Sequence, residues 1–324
     1  MTNLLWFSEI SSEDREACGN KAVSLAELYN IGIPIPQGFV ITNDVYQKFL
    51  EENKIHKQID NVLGNLNLND SKLMQMKSDE INDIILRAEF PDNIKEEILE
   101  NYENLDVNNE ILKFGNKNAL NLIKMGRSLP YVAIRSSSTN ALENPTYLNV
   151  KGNNALLLSL KKSWSSLFAL KSVYFREKNN LLHNKICSSI ITQRMINPES
   201  SGIISIIPNE NDIKMNAVYG FPELIMNKSV NYNTYIIDKE DLIIKHKNTP
   251  RQEYMVTREE MLSKNIKRQI PENRNYQILT DEQILQLADY GRKIERYYQK
   301  PLNIEFAVES GKIYIINAKD LNIN

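Results

Sequence analysis

The chain has 324 residues, 42% of them hydrophobic and 25% charged, with a formal net charge of −2. That is enough for one large or two ordinary domains with a real core, and it offers no basic face for nucleic acid or an anionic membrane. Cys18 and Cys187 stand far apart and His56, His183 and His246 form no metal-ligand pair, so neither a disulfide nor a zinc site is expected, and a reducing cytoplasm is the simplest home.

The opening MTNLLWFSEISSEDREA lacks a basic stretch followed by an apolar one, and no apolar run approaches a membrane span. A strand is expected around Leu4 to Phe7. Gly19-Asn20-Lys21 then leads into the helical spacing of Ala22, Leu25, Ala26, Leu28 and Tyr29, with Gly32 as the C-cap. The prolines of IPIPQGFVIT forbid helix, and Phe39, Val40 and Ile41 suit a strand. Thr42 or Asn43 caps the next helix, 44–52. From about 53 to 130 the chain is rich in Asn, Lys and Glu and reads as a helical insert, clearest at Ile94, Ile98 and Tyr102, with Asp92 as a cap.

YVAIRSSSTN follows, an apolar strand that ends in a cation and hydroxyls. Residues 153–178 read as one long helix with Leu156, Leu160, Trp164, Leu167 and Phe168 inward. Short β-branched segments come next (SSIITQRMI, SGIISIIP, KMNAVYG, NTYIID, DLIIKHK), as in an antiparallel sheet. A helix starts at Thr280 or Asp281 and runs to about Tyr298. LNIEFAV and KIYIINA, joined by ESGK, close the chain as a hairpin. The expected class is α+β, with helices in front and antiparallel strands behind.

Four constellations carry chemistry. A glycine, Lys21 and a helix N-terminus together suit an anion; the alternative is an ordinary surface lysine. Arg135 beside Ser136, Ser137, Ser138 and Thr139 suits a phosphate or carboxylate; a structural ion pair is the alternative. Alternation puts Ile304 and Phe306 on one face and Asn303 and Glu305 on the other. Glu305 is then either an exposed-face residue or a Mg²⁺ ligand, with Asn317 and Lys319 two apart on the partner strand. Gln193, Arg194, Met195 and Ile196 end a strand before Asn197-Pro198, where backbone can meet a planar base or simply turn.

In order, CGNKAVSLAELYNIGIPIPQGF, VAIRSSST, KKSWSSLFALKSVYFR, ITQRMINPESSGIISIIP, NAVYGFPELIMNKSVNYNTYII and KPLNIEFAVESGKIYIINAK resemble one family over nearly the whole chain. It is the N-terminal ATP-grasp nucleotide-binding domain of phosphoenolpyruvate synthase and pyruvate phosphate dikinase, also found in rifampicin phosphotransferase. The resemblance implies an ATP-grasp fold in two lobes, 1–192 with the helical insert and 193–324 with the antiparallel sheet. It implies ATP and Mg²⁺ as cofactors. Lys21 and Arg135 would hold phosphates, and Gln193, Met195 and Ile196 would line the adenine site. Glu223 would keep its place in the YGLGE-type stretch. Glu305 would bind Mg²⁺, with Asn317 at the metal and Lys319 at the transferred phosphoryl.

Three departures from the family pattern stand out. STNALENPTYLNV is several residues shorter than the family's phosphate-covering segment and lacks its glycine; such a lid excludes water and completes a site. Asn317 and Lys319 replace a Gln and an Arg, and Lys cannot make the planar bidentate contact. YGLGE becomes YGFPE. No histidine here has a phosphohistidine setting. The first expectation is therefore an ATP-dependent phosphotransferase that acts with a separate phosphohistidine or acceptor-domain protein, with no nucleic acid and no membrane. The alternatives are a degenerate nucleotide-binding or scaffold protein, and a repurposed ATP-grasp enzyme acting on a small molecule.

Overall fold

The computed structural model describes residues 2–64, 70–107, 128–137, 145–183, 188–226, 230–272, 274 and 276–321. The chain divides into two units, one formed by Met1–Glu27 and Gln37–Met195, the other by Leu28–Pro36 and Ile196–Asn324.

The first unit is built on a five-stranded sheet, in the order β1 (Leu4–Trp6), β2 (Gly38–Ile41), β5 (Ser189–Arg194), β3 (Val132–Ser137), β4 (Tyr147–Val150). All its pairings are antiparallel. Its β-branched strands bury one face, with Phe39, Ile41, Val132, Ile134 and Ile190, in a core shared with the helices. Those helices are α2 (Asn43–Glu52), α3 (Ile55–Leu63), α4 (Ser71–Arg87), α5 (Asp92–Asn104), α6 (Asn153–Ser165) and α7 (Leu170–Lys178). Trp164 is fully buried at the centre of this core. It tilts against Tyr46, Phe49 and Phe90 at centroid distances of 5.4, 5.0 and 5.6 Å, and its indole N–H donates to Ser188 O at 3.1 Å. Such buried rings need both the apolar packing and the polar partner.

Three expectations from sequence are corrected. Residues 153–178 are not one helix: a 3₁₀ turn, Ser166–Phe168, and an extended Ala169 (ψ 146°) separate α6 from α7. The break lets Phe168 bury its ring while its carbonyl accepts from Ser78 Oγ at 2.6 Å. Asp92 is not a cap; Pro91 holds that position and Asp92 lies in the first turn, where its charge still suits the positive helix end.

Helix α1 (Arg15–Asn30) is interrupted at Gly19 (φ 76°, ψ 165°), so the glycine joins two helical pieces rather than a strand and a helix. It ends in a Schellman arrangement: Gly32 N–H reaches Tyr29 O and Ile33 N–H reaches Leu28 O, both at 3.0 Å.

The second unit is a six-stranded antiparallel sheet. Its order is β13 (Lys312–Asp320), β12 (Leu302–Glu309), β6 (Ser200–Ile206), β7 (Asp212–Tyr219), β8 (Asn233–Asp238), β9 (Ile244–Asn248). A separate hairpin, β10 (Tyr254–Glu259) with β11 (Lys264–Gln269), follows β9 in the chain. A four-residue helix, α8 (Glu223–Met226), precedes β8. Helix α9 (Asp281–Tyr298) begins with a Thr280 capping box and covers the Ile204 and Ile206 face. There an added Cβ on Gly291 would lie 3.4 Å from Ile204 Cγ2. The opposite face carries Ser205, Asn216, Asn303, Glu305 and Asn317, with Ile203 between Glu305 and Asn216, and is mainly polar. The α+β class, the helical insert in the first unit and the antiparallel sheet in the second are all present. Among the described residues, no helix is long and apolar enough to cross a membrane.

Candidate functional site

In the first unit, the candidate residues Lys21 and Arg135 gather toward the end of β3. Gly19 has a backbone conformation open to glycine alone. An added Cβ there would lie 2.5 Å from the Ser137 carbonyl carbon. That close approach lets Ser137 Oγ accept the buried Ala22 N–H at 3.1 Å, so a strand serine caps the restarted helix from outside. Ser189 Oγ stands within reach of the Ser137 and Cys18 carbonyls. Lys21, in the first turn after the break, donates from Nζ to Ser136 O at 3.3 Å.

Arg135 is half-buried on β3, paired in register with Ile191, as Ala133 is with Gln193. Alternation therefore puts Arg135, Ser137 and Gln193 on one face of the sheet, the face turned away from the helical core. Gln193 is only 2% exposed. Met195 N–H donates to Tyr131 O at 2.8 Å, and its buried sulfur accepts from Asn149 N–H at 3.1 Å. Ser138, Thr139 and the shortened segment 138–144 lie outside the described residues, as does Cys187. Cys18 is fully buried, and that burial, aided by Asp14 and Asp44, pushes its thiol up to about 12.

In the second unit, the strand end after β5 is held by residues that the sequence did not single out. Arg258 on β10, itself buried, donates from Nη2 to Ile196 O at 3.2 Å. Asn197 N–H donates to Glu309 Oε1 at 2.7 Å. Gly220 (φ 76°) brings YGFPE against the same strand: an added Cβ would lie 2.1 Å from Val256 O, and Phe221 N–H donates to that oxygen at 2.9 Å. Glu223 is exposed and accepts from Asn265 Nδ2 of β11 at 2.7 Å. The β10–β11 hairpin thus carries both Ile196 and Glu223. Its strands are half-exposed and charged, and only the two-residue alternation of Val256 and Arg258 marked them.

The closing hairpin gathers three candidates. Glu305 pairs directly with Asn317, and Asn303 with Lys319. The turn is Ser310-Gly311, both at positive φ (51° and 74°), the primed form that matches strand twist. Lys319 Nζ donates to Glu305 Oε1 at 3.0 Å. Ser205 Oγ donates to Asn303 Oδ1 at 2.7 Å. The carboxylate of Glu305 and the amide of Asn317 form an oxygen donor set that suits a hard cation such as Mg²⁺. With one carboxylate the protein fills only part of a coordination shell, which fits a metal that arrives with phosphate oxygens and water. Among the described residues no group of three or more His, Cys, Asp or Glu stands ready to hold a metal alone.

The sequence is similar to known proteins over almost its full length. It matches the family model of the pyruvate phosphate dikinase AMP/ATP-binding domain over residues 15–323. It is 30% identical to a probable phosphoenolpyruvate synthase of Methanocaldococcus jannaschii, over 99% of this chain and 27% of the relative. With the probable phosphoenolpyruvate synthase of Methanothermobacter thermautotrophicus the identity is 31%, over 98% and 45%. With the rifampicin phosphotransferase of Bacillus cereus it is 29%, over 98% and 36%. The chain spans less than half the length of these curated relatives, and it belongs to the family of the pyruvate phosphate dikinase AMP/ATP-binding domain.

Proposed function

We propose that the chain is an ATP-grasp, ATP-binding phosphotransferase module of the phosphoenolpyruvate synthase type. It passes a phosphoryl group from ATP to a histidine on a separate acceptor domain, or to another acceptor. The observation that carries this reading is the β12–β13 register. It sets Glu305 opposite Asn317 and within 3.0 Å of Lys319 Nζ, so a metal ligand pair and a phosphate-seeking cation share one hairpin face.

In this reading Lys21 and Arg135 hold phosphate oxygens, Arg135 through its planar fork and Lys21 as a point charge at a helix start. Gln193, Met195 and Ile196 line the base, with Arg258 fixing the Ile196 carbonyl. Glu223 faces the nucleotide from YGFPE. Glu305 and Asn317 hold Mg²⁺, which when bound neutralises charge on the phosphates. Lys319 orients the transferred group. Catalysis is then mostly positioning and charge stabilisation.

The test is transfer from ATP, labelled at the β- and γ-phosphates, to an isolated phosphohistidine domain in the presence of Mg²⁺. Acid-labile label on the acceptor, lost with Arg135→Ala, supports the reading. Bound ATP that never passes label to that domain or to water contradicts it and leaves a nucleotide-binding module without transfer.

A further inference from the structure

The partner that Lys319 chooses is informative. In register it sits directly across from Asn303, with Glu305 on the diagonal. Asn303 Oδ1 already accepts from Ser205 Oγ, and its amide nitrogen is a donor, as is the ammonium. Lys319 instead reaches along the strand to the carboxylate, at 3.0 Å. An ammonium is a compact point charge with three donors and no acceptor. It meets a carboxylate oxygen through the same lone pairs that a divalent cation would use.

We propose that Lys319 is a resident cation in the metal's place on Glu305. A divalent cation must displace the ammonium to bind this hairpin, and the displaced ammonium becomes available to the phosphates. This rests on Glu305 being a metal ligand. Three features support the exchange. The lysine head has solvent to leave into, since its side chain is 57% exposed against 22% for Glu305. Its four-carbon stem carries the charge a few ångströms without moving the backbone. An ammonium, unlike a planar guanidinium, makes no fixed bidentate fork with a carboxylate, which favours departure.

The consequence is a coupling with a definite sign. Without nucleotide, the metal meets a positive charge at its ligand and binds weakly. With nucleotide, the phosphates take the ammonium and free the carboxylate, so nucleotide and metal each raise the affinity for the other. Removing the charge at position 319 then has opposite effects on the two ligands.

Mn²⁺ takes the same oxygen ligands and its free form is read directly by electron paramagnetic resonance. Mn²⁺ alone is titrated into the full chain, the Lys319→Gln, Lys319→Arg and Glu305→Gln variants, and a non-hydrolysable ATP analogue is titrated separately without metal. Lys319→Gln is expected to bind Mn²⁺ roughly two- to fivefold more tightly than wild type, the scale of an exposed ion pair, and the nucleotide more weakly. Lys319→Arg keeps the weak metal binding, and Glu305→Gln loses it. Equal or weaker Mn²⁺ binding by Lys319→Gln, with Glu305→Gln still defective, overturns the exchange and leaves Glu305 as a ligand. Wild-type Mn²⁺ binding by Glu305→Gln overturns the metal reading itself. No Mn²⁺ binding by Lys319→Gln overturns the inference as well.

Discussion

At the end of β3 three groups are fixed against backbone. Gly19 touches the Ser137 main chain, Ser137 caps the restarted helix, and Lys21 lies against the Ser136 carbonyl. At the β12–β13 hairpin the candidates are side chains on a polar sheet face, joined to one another by a single ion pair. The first region is a scaffold in which the functional groups are also structural. The second is a set of donors on an already stable sheet, free to exchange partners. Substitutions in the first should cost folding, and those in the second should cost binding alone.

Gly19→Ala gives the largest test of that contrast. The glycine-only conformation and the 2.5 Å approach to Ser137 predict a loss of about 2–4 kcal/mol, read by chemical denaturation. A loss under about 0.5 kcal/mol would show that the helix break is not held by this contact. Ser137→Ala comes next. It leaves the buried Ala22 N–H without its cap and should cost about 1–2 kcal/mol. Neutral behaviour here would place this end of β3 in the same class as the hairpin.

A smaller effect lies elsewhere in the first unit. Arg176 Nε donates to His183 Nδ1 at 3.0 Å, and His183 Nε2 stands 2.7 Å from Glu177 Oε1. Burial chiefly, with the Arg176 charge, holds the His183 pKa below its usual value, against the opposing pull of Glu177 and Asp60. The unfolded chain then takes the proton first as pH falls. The stabilisation is complete above the unfolded pKa of about 6.5 and declines as pH drops from there toward the folded value. Thermal melts at two pH values, one above and one below about 6.5, should show a shallower dependence in His183→Gln; an unchanged slope contradicts it. The smallest stability effect belongs to Glu305→Ala. Its partner is mostly exposed, so stability should stay within about 0.5 kcal/mol, and a larger loss would mean that the hairpin too is scaffold.

The same contrast governs what the sequence disclosed. The closing hairpin was legible because alternation and ESGK are local signals, and register follows once the turn is set. The helix start at Thr280 or Asp281 and the inward Leu156, Leu160 and Trp164 were legible for the same reason. The break after Ser165 was not, because a tertiary demand for Phe168 overrides a sequence that reads as helix. The β10–β11 hairpin was missed because its strands are charged and half-exposed. With it went Arg258 and Asn265, whose roles appear only when distant segments meet. Gly19 was visible as a flexible residue, yet its contact partner is far away in sequence and had no local signature.

The most direct measurement is calorimetric titration of ATP, with and without Mg²⁺, into the wild type and Glu305→Ala. Metal-dependent binding to the wild type, lost in a variant that melts at the same temperature, is the predicted result. No binding to either protein, or binding indifferent to both Mg²⁺ and Glu305, would contradict the assignment of the hairpin to a metal–nucleotide site.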